Sequence, residues 1–169
     1  TDETFTVWAA GYDADGNFIA DTTVSWTSSG LTPALASTGR SATLDPTTPG
    51  TATVTATEPN SGLTDNTGAI VVNPGAITHL LVRSEAGGGG MEVGDMTLTL
   101  DDKLTLYAAG YDAENNYSRD VVATWSVSSG DLDAPSPATG TSTVFAPSTP
   151  ETSGKIRADR TGLIGDETG

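Results

Sequence analysis

The chain has no cysteine, which excludes disulfides, thiol catalysis and cysteine metal sites. The compartment stays open, because an exported protein need not use disulfides. Bases are scarce: seven Lys and Arg stand against 22 Asp and Glu, the net charge is −15, and Arg40 is the single base in residues 1–82. Phosphate binding requires clustered Lys and Arg, so nucleic acid is excluded as a partner and anionic lipid is repelled. Such a surface attracts divalent cations, suits a saline medium, or simply resists aggregation. No apolar run is long enough to span a membrane, so no membrane insertion is expected of these residues. Thr1-Asp-Glu-Thr4 has neither the basic nor the apolar region of a signal peptide, and any export signal or anchor is expected outside them.

What is present is a repeat. Phe5-Thr-Val-Trp-Ala-Ala-Gly-Tyr-Asp-Ala-Asp-Gly-Asn-Phe18 returns about 99 residues later as Leu104-Thr-Leu-Tyr-Ala-Ala-Gly-Tyr-Asp-Ala-Glu-Asn-Asn-Tyr117, followed in each copy by an aspartate (Asp21, Asp120) and a tryptophan (Trp26, Trp125). Thr38-Gly39 matches Thr139-Gly140, and Pro46-Thr-Thr-Pro49 matches Pro147-Ser-Thr-Pro150. Gly62-Leu63 and Asp65-Asn-Thr-Gly68 match Gly162-Leu163 and Asp166-Glu-Thr-Gly169. This is a tandem array of one domain type, each copy large enough to bury a small core of its own.

Alternation predicts strands. Phe5, Val7 and Ala9 share a face against Thr4, Thr6 and Trp8, and Ala52, Val54 and Ala56 oppose Thr51, Thr53, Thr55 and Thr57. The 29 threonines suit strands with one wet face, being β-branched yet polar. No segment has a helical period. Short strands, regular Gly, Pro, Asn and Asp turns, and a tryptophan midway along an early strand predict an all-β chain of two tandem immunoglobulin-like antiparallel β-sandwiches. The immunoglobulin disulfide is missing, so Trp26 and Trp125 are expected to pack on aliphatic and aromatic neighbours alone. The boundary falls at Asn73-Pro-Gly75, giving domains over 1–74 and 75–169, and a proline-bearing linker this short is expected to restrict the swing between them.

The copies are out of phase. Thr1 corresponds to Leu100, so the first copy lacks a counterpart of its N-terminal strand region, about Ala76–Thr99. The second lacks a counterpart of its last strand, Ala69–Val72. Either these residues are a window on a longer array, or the missing strands are supplied by neighbouring chains, because an open sandwich exposes sheet edges that donor strands close.

The pattern Tyr12-Asp-Ala-Asp-Gly-Asn17, then Asp21 and Val24-Ser-Trp26, with Gly87–Gly90, Glu92-Val-Gly-Asp95 and Leu104-Thr-Leu-Tyr-Ala-Ala-Gly110, resembles bacterial immunoglobulin-like repeats, the type found in invasin- and intimin-like adhesins. The resemblance covers both copies. It implies a secreted or cell-surface location, a passive role as stalk, filament component or enzyme appendage, and no catalytic residues. Partners would be other copies of the same or neighbouring repeats, or a surface glycan or protein. The competing expectation is a carbohydrate- or protein-binding module attached to a secreted enzyme or adhesin.

The densest oxygen cluster is Asp13, Asp15, Asn17 and Asp21, mirrored by Asp112, Glu114, Asn116 and Asp120. Calcium takes six to eight hard oxygens, and alternate acidic positions around a turn can gather them. The same residues also read as a hairpin turn in which Asp-Gly and Asn-Asn tolerate positive φ. No other cofactor is indicated. Gly87–Gly90 lacks the Gly-Lys-Ser/Thr of a phosphate loop and reads as a flexible or bulged connection. His79 reads as an ordinary strand residue. Lys103 and Lys155 admit an isopeptide bond in the second copy only, and Asn116-Tyr-Ser118 matches a glycosylation acceptor. Trp8 and its counterpart Tyr107 lie opposite Phe5 and Val7 by parity, facing either outward or the other sheet.

Overall fold

The computed structural model describes residues 1–169. It is all-β, and the chain divides into two compact units, Thr1–Pro74 and Gly75–Gly169. Unit 1 contains β1 (Phe5–Trp8), β2 (Ala10–Tyr12), β3 (Phe18–Asp21), β4 (Val24–Ser29), β5 (Ala36–Gly39), β6 (Ser41–Leu44), β7 (Gly50–Thr57), β8 (Thr64–Asn66) and β9 (Ile70–Val72). In its larger sheet β4 lies between β5 and β7, and β7 pairs on its other side first with β9 and then with β8. β1 pairs β6 and β2 pairs β3.

Unit 2 contains β10 (His79–Arg83), β11 (Leu104–Tyr111), β12 (Tyr117–Asp120), β13 (Ala123–Gly130), β14 (Thr139–Gly140), β15 (Ser142–Phe145), β16 (Gly154–Asp159) and β17 (Asp166–Glu167). One sheet has β11 at its centre, with β10 along one side and β12 and β15 along the other. The second runs β14-β13-β16-β17. The core lies between them: Leu80, Val82, Leu106 and Ala108 come from the first sheet and Trp125, Ile156 and Ala158 from the second. Two antiparallel sheets sharing one core are consistent with a β-sandwich.

Period-two patterning sorts the faces. Ala52 and Val54 on β7, and Val24 and Trp26 on β4, are buried in the unit 1 core with Ala9, Leu31, Ala42 and Leu44, while Phe5, Val7, Ile70 and Val72 pack against it. The threonines at 51 and 53 fall on or toward the wet side. Neither tryptophan relies on packing alone. Trp26 Nε1 donates to the Gly39 carbonyl at 3.0 Å and Trp125 Nε1 to the Gly140 carbonyl at 3.1 Å, so the polar edge of each buried indole is satisfied. This corrects the expectation of purely apolar surroundings: both indoles bond the main-chain carbonyl of the matching Thr-Gly pair.

A glycine stands at the end of β4 and of β13, close against β7 and the start of β16. Gly30 and Gly130 hold φ of 75° and 83°, and a Cβ on them would lie 2.3 Å from the Thr51 carbonyl oxygen and 1.9 Å from that of Ser153. Only glycine fits both the left-handed backbone and the contact.

Candidate functional site

The two acidic quartets fold as one turn built twice. In unit 1, Asp13 Oδ1 accepts the Asp15 N–H at 3.0 Å and the Asn17 N–H at 2.8 Å, and Asp13 Oδ2 accepts Asn17 Nδ2 at 3.0 Å. In unit 2, Asp112 Oδ1 accepts from Glu114 N at 3.1 Å and Asn116 N at 2.8 Å, and Asp112 Oδ2 from Asn116 Nδ2 at 3.0 Å. The third turn residue has positive φ in each, 82° at Gly16 and 65° at Asn115, as an Asp-Gly or Asn-Asn hairpin allows. These bonds, the Asn17 amide foremost, hold the Asp13 carboxyl below its ordinary value.

The remaining members of the quartets stand apart from these carboxylates. Asp15 and Glu114 are exposed. Asp21 and Asp120 sit at the ends of β3 and β12, opposite Ala10 and Ala109. Asp120 accepts the Gly87 N–H at 3.0 Å and the Tyr117 hydroxyl at 3.1 Å. No three His, Cys, Asp or Glu side chains come together as a metal-holding group. What the structure does with the aspartates is accept turn N–H groups, and Asn116 Nδ2, the atom that would carry a glycan, is committed to Asp112.

Identical turn residues have opposite environments in the two units. Tyr111 is 7% exposed and Asp112 fully buried, whereas Tyr12 is 61% exposed and Asp13 lies at the surface. The difference is β10. It pairs with β11 from His79 opposite Tyr111 to Arg83 opposite Tyr107, stacks His79 on Tyr111, and follows Gly75, whose N–H reaches Asp112 Oδ2 at 2.9 Å. On its other side Leu80 N donates to the Ile164 carbonyl. Unit 1 has no strand in that place. Trp8 is 63% and Leu63 is 73% exposed there, with Tyr12, Phe18 and Ile19 also bare. Trp8 therefore points outward, as parity allowed, and the edge Trp8–Tyr12 is open.

Unit 2 has the complementary gap. In unit 1, β9 pairs with the start of β7, Gly50 opposite Val72 and Ala52 opposite Ile70, and Ile70 and Val72 cover the core. Unit 2 has no strand at the matching position. A cavity of about 620 Å³ lies there, lined by Val93, Leu98, Leu104, Leu132, Phe145 and Ile156, all of them core residues or residues packed on it. Its open edge is Thr152-Ser-Gly154, the counterpart of Gly50–Ala52. β16 starts at Gly154, two residues short of the matching start of β7. The cavity was not legible in the sequence, because its walls come from segments far apart in the chain.

The other singled-out residues take structural places. Arg83 donates to the carbonyls of Gly88, Gly89 and Gly90, so Gly87–Gly90 is a clasped loop. Lys155 pairs with Glu167 at 3.5 Å on the surface. The lowered carboxylates Glu58, Asp102 and Asp133 each accept a serine or threonine hydroxyl and backbone N–H groups in exposed turns. No family model, curated protein or solved structure matches the chain.

Proposed function

We propose that the chain is a nonenzymatic structural repeat of a bacterial extracellular surface protein or filament, formed of two immunoglobulin-like sandwiches and acting as a stalk or assembly unit. The observation that carries this reading is the repetition: one turn, hydrogen-bonded alike in both units, and one core plan with a buried tryptophan are built twice in the chain. A domain type repeated in tandem, with no helix and one small core per copy, suits a spacer or an assembly unit. The surface carboxylates Asp13, Glu58 and Asp102, each lowered by donors of its own turn, support a passive role, because general acids are raised in concave sites. Electron microscopy of the native full-length material tests it. Regular rods or filaments with an axial repeat of one sandwich are expected, and dispersed single particles with no repeat would overturn it.

A second reading has its own observation. Trp8 is 63% exposed, and Tyr12 and Phe18 meet edge to face at 5.9 Å on the same unit, an apolar and aromatic surface that suits a sugar face or a protein. A glycan screen in which binding appears and Trp8→Ala abolishes it would favour a carbohydrate-binding module over a stalk.

A further inference from the structure

The geometry points to an ice-binding face on unit 1, the outer side of the sheet formed by β5, β4, β7 and β8, where a regular array of hydroxyls and methyls takes ordered water as its ligand. A stalk and a free module could carry such a face alike, so it goes beyond the structural-repeat reading without resting on it.

Pairing register fixes the array. Thr38, Ser25, Thr57 and Thr64 stand side by side across the four strands in one row, and Ala36, Thr27, Thr55 and Asn66 in the next. Ser29 opposite Thr53 begins a third. All lie on the side of the sheet away from the buried Trp26 and Val54. Asp65, the one charged residue in these four strands, pairs opposite Ala56 and so belongs to the other face. Side chains repeat at about 6.7 Å along a strand and about 4.8 Å between strands, close to the two repeats on a prism face of ordinary ice. Threonine is stiff at χ1, so oxygens and methyls both hold their places. The hydroxyls of Ser25, Thr27, Thr55 and Thr57 bond no other group of the chain, which leaves them to water.

Unit 2 has the same rows without the array. Trp26 pairs opposite Ala56 and Trp125 opposite Ala158, so Lys155, Arg157 and Asp159 occupy the places of Thr53, Thr55 and Thr57. Glu167, opposite Arg157, occupies that of Asn66. These four side chains pair with one another as ions. In a chain with 22 Asp and Glu, unit 1 thus keeps charge off the face that unit 2 fills with it.

Neutrality and size select the ligand. An ionic partner finds no charge to pair with, and a sugar ring finds no aromatic to stack on. The three rows span about 15 by 14 Å, well below the roughly 800 Å² per partner of a stable protein interface. A water lattice needs only donors and acceptors at its own spacing, with no charge nearby to orient water otherwise.

The test uses the full chain, with ice as the probe. Wild type is expected to shape a growing ice crystal, to hold it without growth over a measurable gap below the melting point, and to be taken up into the ice. Thr55→Arg combined with Thr57→Asp installs the unit 2 residues in unit 1; it should lose all three effects and keep the wild-type unfolding transition. Thr27→Arg, at an exposed position of β4, should lose them as well and gives the same reading if the double variant does not fold. Thr6→Arg puts the same charge on the other sheet and should leave them intact. Wild type that leaves ice growth unchanged and is excluded from the crystal overturns the proposal. So does full activity in Thr27→Arg, or loss in Thr6→Arg equal to that in Thr27→Arg. Retention of wild type on an insoluble polysaccharide, or a wild-type dimer in sedimentation, would give the face another occupant if Thr27→Arg abolished it, and either result overturns the proposal too.

Discussion

Gly16 and Gly30 both hold positive φ, at 82° and 75°, but they are not equally replaceable. A Cβ at Gly16 meets nothing within 4 Å, whereas at Gly30 it would strike the Thr51 carbonyl oxygen at 2.3 Å. Gly16→Ala is therefore expected to cost only the left-handed backbone term, about 1–2 kcal/mol, and Gly30→Ala about 1–3 kcal/mol more for the shift forced on β7; denaturant unfolding of the two variants measures the difference. Glu58 shows a second single-residue effect. Its carboxylate accepts the Ser61 hydroxyl at 2.7 Å and the Ser61 and Asn60 N–H groups at 2.6 and 3.1 Å, which lowers it from its ordinary 4.5 to about 2. A depressed carboxylate stabilises the fold above its unfolded value and loses that contribution as the pH falls through its folded value. The stability gap between wild type and Glu58→Gln should thus be widest above pH 4.5 and close as the pH approaches about 2. A gap independent of pH would show that the ionised form has no part in the turn.

At the scale of elements, the two copies act as controls for each other. Ala9 and Ala108 turn their N–H and C=O toward the loops of the same sheet side, to Arg40 and Thr22 in unit 1 and to Thr141 and Val121 in unit 2. The alternate groups of Trp8, Ala10, Tyr107 and Ala109 therefore face the opposite side, which β10 covers in unit 2 and nothing covers in unit 1. Amide exchange at Trp8 and Ala10 is expected to be faster than at Tyr107 and Ala109 by a factor of about ten or more; equal protection would mean that the unit 1 edge is covered in solution. Much of this was legible in the sequence. Alternation placed β1 and β7 and separated their two faces, and the Asp-x-x-Gly-Asn and Asp-x-x-Asn-Asn turns announced the hairpins. Strand ends were less legible: the alternation from Phe5 to Ala9 reads as one strand, yet β1 ends at Trp8 and β2 begins at Ala10. The indole partners at Gly39 and Gly140, and the use of Asp120 to hold the Gly87 loop, depend on contacts between distant segments that no local pattern encodes.

Across the whole molecule, basic residues and core size are unevenly shared. Residues 1–74 carry eight Asp and Glu against Arg40 alone, so their surface repels itself with almost no internal compensation, whereas in unit 2 Lys155 and Arg157 pair with Glu167 and Asp159. Unit 1 also has the smaller core, eight buried residues against eleven, and it lacks the strand that contributes Leu80 and Val82 to unit 2. Both terms act in the same direction. Calorimetry should resolve two transitions, with the amide signals of Ala52 and Val54 lost before those of Ile156 and Ala158. The charge term can be separated from the core term by salt, because screening weakens self-repulsion among exposed charges and leaves buried apolar area untouched at moderate concentration. Raising NaCl from about 0.02 to about 0.5 M is expected to move the lower transition up by a few degrees and the upper one by less. If both move equally, the earlier melting of unit 1 belongs to its missing strand alone. A lower transition carried by unit 2 would instead mean that the open cavity beside Phe145 costs more than the bare edge at Trp8.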